Sequence, residues 1–159
     1  MASYAENMTY TAGEARQELL DTIAEATDEL GAALASLGAA YEQLDEQSAD
    51  RLEEQLFRPV QVAYGRAKRT HAGFADRHGL AGRSFEPASA GAPSHGVKGF
   101  LDHALQAVGD ADGLLAELQD SMRPVEVGDP ELRAGLADVR ELVAGVHRGG
   151  REFLRTFGR

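Results

Sequence analysis

Residues 97–122 read VKGFLDHALQAVGDADGLLAELQDSM. Within them Val97, Leu101, Ala104, Val108, Ala111, Leu115, Leu118 and Met122 recur at alternating steps of four and three, the period that lines one face of an α-helix with apolar side chains. Ser94 is a suitable N-cap for this helix, and Pro124 stops it because proline has no backbone N–H to donate. The spacing therefore predicts a helix over about 94–122 with one buried face.

Working outward, each neighbouring stretch has the same character. Downstream, Asp129 and Pro130 form a start signal, an N-cap followed by a residue preset for the first helical turn. Leu132, Leu136, Val139, Val143, Val146, Phe153 and Phe157 then mark a helix over about 129–157, with Gly149-Gly150 as the expected weak point. Upstream, residues 80–94 have loop composition and form the longest connection. Before them Leu52, Leu56, Val60, Ala63, Ala67, Thr70 and Phe74 define a helix over about 48–78. Ser48 is its expected cap, Pro59 is expected to kink or divide it, and Gly79-Leu80 is its left-handed stop. The first stripe, Leu20, Ile23, Thr27, Leu30, Leu34, Leu37, Tyr41 and Leu44, places a helix over about 11–46. Thr11 and Glu14 have capping-box spacing, and residues 1–10 are read as a flexible segment.

Four amphipathic stripes bury one another most simply as an all-α, antiparallel up-down-up-down four-helix bundle, here a single domain over 11–159. A helical hairpin that pairs with a second copy has the same periodicity. With 159 residues the chain is long enough to bury a core without staples. It has no cysteine, which removes disulfide scaffolds, thiolate metal sites and cysteine nucleophiles. No basic n-region with an apolar run opens the sequence and no stretch is long and apolar enough for a bilayer, so a soluble cytoplasmic protein without membrane contact is expected.

Most chemistry is disfavoured by spacing. None of His71, His78, His95, His103 and His147 has a glutamate three residues before it, and no His-x-x-x-His occurs, so neither a metal nor another cofactor is expected. Glu25/Asp28, Glu42/Asp45 and Asp138/Glu141 have the spacing of magnesium-binding pairs in all-α nucleotide pyrophosphatases. In the first helix, however, the acids lie opposite the Leu30 stripe and read as a solvated face. The glycine-rich pieces follow no strand and precede no Lys-Ser/Thr pair, which leaves no phosphate-cradling loop.

Three groups of residues remain. The 26 acids and 16 bases leave a formal charge of -10, but the bases concentrate in residues 57–100 and 148–159. In up-down-up-down order these segments meet at one end, bringing Arg66, Arg69, Arg77, Arg151 and Arg155 together among phenylalanines as a candidate anion site. Overall acidity argues against nucleic acid as a partner, while that basic end leaves room for it. Helix-dipole complementation and a phenylalanine plug account for the same residues equally well.

Arg140 and His147, with six residues between them, share one side of the last helix. This pair resembles the Arg and His motif of HEPN ribonuclease and nucleotide-binding domains, a resemblance that covers these two residues. It implies contact with a scissile phosphate and proton transfer at a ribose 2′-oxygen across a dimer interface. Arg66 and His71 also fit the spacing but point about 140° apart on an ideal helix.

The third group lies at mid-height, where Ala26, Ala33, Ala63, Ala67, Ala104 and Ala111 predict tight packing or an apolar cavity, with Tyr64 and His71 as polar contacts on one flank. The reading of the whole is a non-enzymatic bundle that binds a protein or small ligand, with a homodimer as one form. A HEPN-like domain is the first alternative and a bundle for a small apolar ligand the second.

Overall fold

The computed structural model describes residues 2–86, 89–90 and 96–157, with side chains from residue 12 onward. The chain is an all-α helical bundle, without strands among the described residues. Helix α1 spans Ala2–Glu42, α2 Glu46–Leu52, a π turn Glu53–Phe57, α3 Arg58–Arg77, α4 Gly96–Asp120, α5 Arg123–Val127 and α6 Pro130–Phe157. Four rods result: α1, the continuous α2–π–α3 unit, α4 and α6.

Contacts between rods fix their directions. Ser36 hydrogen-bonds His103 Nδ1 at 2.9 Å and Glu18 pairs with Arg123 at 3.3 Å, so α1 and α4 are antiparallel. Gly31 faces Tyr64 and Gly38 shares a cleft with Phe57, which sets α3 antiparallel to α1. Arg66 with Asp138 and Arg77 with Glu131 do the same for α3 and α6. Arg140 with Asp112 and Gly150 with Leu105 complete the ring between α6 and α4.

All neighbours are antiparallel, but α3 and α4 run the same way, so the rods go up, down, down, up. The expected up-down-up-down order is corrected on this point. The long connection after α3 permits it, because α4 starts at the end of the bundle opposite to the one where α3 stops. Some 17 residues can span about 55 Å when extended, more than the roughly 37 Å of the 25-residue α4.

Several boundaries differ from the sequence expectation for identifiable reasons. Helix α1 begins at Ala2, so position 11 lies inside it; the expected Ser94 cap falls outside the described residues. Asp45, not Ser48, caps α2: its Oδ1 accepts from Ser48 N–H at 2.8 Å, and the Ser48 hydroxyl donates to Oδ2 at 3.0 Å. Helical backbone continues through Pro59, which does not divide the rod. The π turn precedes it and proline occupies the first turn of α3, where its missing donor costs least. The Gln55 carbonyl, which proline cannot serve, faces Gly149 so closely that a Cβ there would lie 2.8 Å away. Gly149-Gly150 is thus a close-packing point and α6 passes through it unbroken.

Other expectations match. Helix α3 ends in a Schellman motif, with Gly79 at φ 65° and Leu80 N–H donating to Ala75 O at 2.8 Å. The stripes form the core: Leu30, Leu52, Val60, Leu101, Leu132, Val143 and Phe153 are fully buried. The six mid-height alanines are buried too, and they let the rods approach closely. At the end of the α4 stripe Met122 is 53% exposed, because the chain turns there with Met122 at φ 64°.

Two substitutions test this packing from opposite sides. A Cβ on Gly135 would lie 2.8 Å from Thr70 Cγ2, so Gly135→Ala should destabilise the bundle by about 1–3 kcal/mol. Met122→Gly relieves a left-handed conformation and should stabilise it by up to about 1 kcal/mol. Urea midpoints at constant m-value measure both; no loss for Gly135→Ala would contradict the α3–α6 register.

Candidate functional site

Four buried side-chain atoms lack a hydrogen-bond partner among the described residues: Arg51 Nε and Gln55 Oε1 near the π turn, and Tyr64 Oη and His71 Nδ1 in the groove between α1 and α3. Small residues open it: Gly31, Ala35 and Gly38 on α1 lie opposite Tyr64, Gly65 and Phe57. Residues 80–86, the first part of the long connection, lie along the same groove as a strap. Arg83 pins the strap to α1 by two bonds to the Asp28 carboxylate, at 3.0 and 2.6 Å. The same guanidinium sits over the Phe85 ring at 4.3 Å, and Phe85 meets His71 edge-on with centroids 5.0 Å apart. Because the Arg83–Asp28 pair is half exposed, it contributes little energy and mainly sets position.

Beneath and beside the strap sit Tyr64 and His71, 6% and 2% exposed. The Tyr64 hydroxyl and His71 Nδ1 have no hydrogen-bond partner among the described residues. Such groups are rare in native interiors, and each one asks for a reason. Burial, then the charge of Asp28, raises the Tyr64 hydroxyl above its ordinary pKa, so it remains a donor. Burial, then Arg83, lowers His71, so at neutral pH its ring is uncharged.

Two clefts flank the strap. One, of about 500 Å³, is lined by Leu34, Ala35, Gly38, Phe57, Tyr64 and Lys68 among others. Lys68 Nζ lies over the Tyr64 ring at 4.4 Å, so this cleft has mostly apolar walls, the Gln61 amide and one cation, with the buried Tyr64 hydroxyl behind its ring. The other, of about 290 Å³, is lined by Asp21, Glu25, Asp28, His71, Ala81 and Arg83 among others. The mid-height alanines line neither; both clefts lie between rods, not on the bundle axis.

Other candidates fall elsewhere. The up-down-down-up order separates the basic residues that the sequence expectation gathered at one end. Arg66, Arg69 and Arg77 lie along α3, while Arg151 and Arg155 lie at the far end of α6, beside the start of α2. Arg66 is bound by Asp138 at 3.1 Å, Arg77 by Asp129 and Glu131, and Arg155 by Glu152 at 4.0 Å. Arg140 and His147 do share the α4-facing side of α6. The Arg140 guanidinium donates to Asp112 at 2.9 Å and Gln119 at 2.8 Å, and His147 rests beside Gly109. Among the described residues no three His, Asp or Glu side chains converge to hold a metal ion, and no helix is long and apolar enough to cross a membrane.

No family model, curated protein or solved structure matches this chain. The site therefore rests on its own geometry. Tyr64 and His71 were visible in the sequence as one flank of a helix, whereas the strap was not. Only the length of the 80–94 segment signalled it.

The buried His71 makes a pH prediction with a definite sign. Its folded pKa lies below the ordinary 6.5, so the unfolded chain binds the proton more readily. Stability is then full above about pH 6.5 and falls as the pH drops from there towards the folded pKa. Urea midpoints between pH 7.5 and 4.5 should show this slope, and His71→Gln should flatten it. An unchanged slope in the variant would contradict a buried neutral His71.

Proposed function

We propose that this chain is a non-catalytic binding protein whose ligand, small and mostly apolar with one hydrogen-bond acceptor, lies in the α1–α3 groove against Tyr64. One observation carries the reading: Tyr64, whose buried hydroxyl has no partner among the described residues, lines a largely apolar cleft of about 500 Å³, so a guest there lies against its ring and reaches the hydroxyl by a small side-chain shift. That volume and that lining are those of a small-molecule site, where a few polar groups orient a largely apolar guest. A ligand acceptor taking the Tyr64 hydrogen would remove the cost of leaving it unpaired, about 1–3 kcal/mol. Lys68 beside the ring favours an acceptor that carries negative charge. Catalysis is not part of the reading, because among the described residues of the groove no nucleophile is hydrogen-bonded to a base.

The probe for this site is 8-anilinonaphthalene-1-sulfonate, an aromatic body with an anionic acceptor. It should bind the native chain with 1:1 saturation and a blue-shifted emission. A Cβ at Gly38 meets open space, so Gly38→Leu should fill the cleft and abolish binding while leaving the fold intact by circular dichroism. Tyr64→Phe should weaken binding about fivefold while holding or raising the stability of the free protein, since it deletes an unpaired hydroxyl. Absence of saturable binding, or binding that Gly38→Leu leaves unchanged, would overturn the proposal.

A further inference from the structure

A different face, between α3 and α6, carries an inference beyond the ligand groove. Its shallow cleft, of about 330 Å³, is lined by Val62, Arg66 and Arg69 from α3 and by Asp138, Glu141 and Leu142 from α6. Val62 is 49% exposed, one of few large apolar side chains so open to water. The two walls have opposite sign, basic on α3 and acidic on α6. Arg66 and Asp138 satisfy each other at 3.1 Å, whereas Arg69 and Glu141 are exposed and have no ion partner among the described residues.

We propose that this face is where a second copy of the chain docks, with the two-fold axis parallel to α3 and α6. Charge selects both partner and orientation. A two-fold axis lying in the contact plane has two principal settings relative to the helices. Set across them, it stacks α3 on α3 and α6 on α6, placing arginine on arginine and acid on acid. Set along them, it lays α3 of one copy over α6 of the other at the same height. Arg69 then faces Asp138 of the second copy, and Glu141 faces Arg66, each within about 5 Å along the helix axis. Val62 and Leu142 lie just beyond these pairs along the helices, level with each other, and lose water together. Each contact occurs twice in such an isologous interface, so the unsatisfied Arg69 and Glu141 of both copies are answered by one arrangement.

Sedimentation equilibrium of the full chain across a wide concentration range tests this. A reversible dimer is expected that weakens as salt is raised. Arg69→Glu and Val62→Glu, both at exposed positions, should each weaken it about tenfold or more, since every change is present twice. Arg133→Glu makes the same charge change about 140° around α6 from Asp138 and should leave the dimer as it is. A chain that stays monomeric throughout overturns the proposal, and so does a dimer indifferent to Arg69→Glu and Val62→Glu. Because the ligand cleft lies on the α1 side of α3, either result is separate from the outcome of probe binding.

Discussion

The carboxylate of Asp129 is the point on which the bundle closes. One oxygen accepts from Leu132 N–H at 3.0 Å and caps α6. The same carboxylate takes Arg77 Nε and Nη2, at 2.9 and 3.0 Å, and His78 Nε2 at 2.9 Å, from the end of α3. Facing a carboxylate, His78 Nε2 must carry its hydrogen. Burial alone would raise the Asp129 pKa, but these bonds outweigh it and the net shift is downward, so the group stays ionised at neutral pH. Loss of an N-cap alone costs about 1 kcal/mol, and breaking a buried charge pair costs several more. This clasp sets where α6 starts against the end of α3, and the register through Thr70 and Gly135 to Gln55 and Gly149 follows from it.

With α3 fixed, the chain still has to reach α4, which starts at the opposite end of the bundle. The first part of that path lies over the candidate groove. Instead of a tight turn the chain leaves the Schellman motif at Gly79 and lies back along α1 and α3, held by Arg83 on Asp28 and by Phe85 on His71. A rod surface otherwise open to water thereby gains a roof over part of its length. Small residues on α1 keep the uncovered part from closing. The groove thus has two sources: small residues on α1 that open it, and residues 80–86 that cover the part over His71.

The legible and illegible parts divide by physical range. Helices, stripes, the Gly79 stop and the Asp129 cap are local, set by side chains a few residues apart, and the sequence contains them directly. The Thr27 and Thr70 hydroxyls, polar members of two stripes, are satisfied by Ile23 O and Arg66 O within their own helices, so the stripes hold despite them. Direction order is not local: antiparallel packing suits up-down-up-down and up-down-down-up alike, and only the length of residues 80–94 favours the second. The two orders also differ in where they put Arg151 and Arg155: beside Arg77 in the first, at the opposite end of the bundle in the second. Tyr64 and His71 were readable as a flank because their relation is helical, but Phe85, Arg83 and Asp28 meet them across the chain and leave no periodic trace. Gly149 and Gly150 read as a weak point because propensity is local, while the groups they admit, the Gln55 carbonyl at Gly149 and the Leu105 side chain at Gly150, belong to other rods.

The proposed function turns on the Tyr64 hydroxyl, a buried donor without a partner among the described residues. Solution NMR of the chain labelled with tyrosine carbon-13 at the ring ζ position reports that hydroxyl directly, in the free protein and under saturating anilinonaphthalene sulfonate. The account predicts that the Tyr64 resonance moves on binding, that Tyr41 outside the 500 Å³ cleft moves less, and that cross-peaks join the probe to the Phe57 and Tyr64 rings. A Tyr64 resonance that stays in place while the probe is bound, or cross-peaks to another part of the bundle, would contradict it.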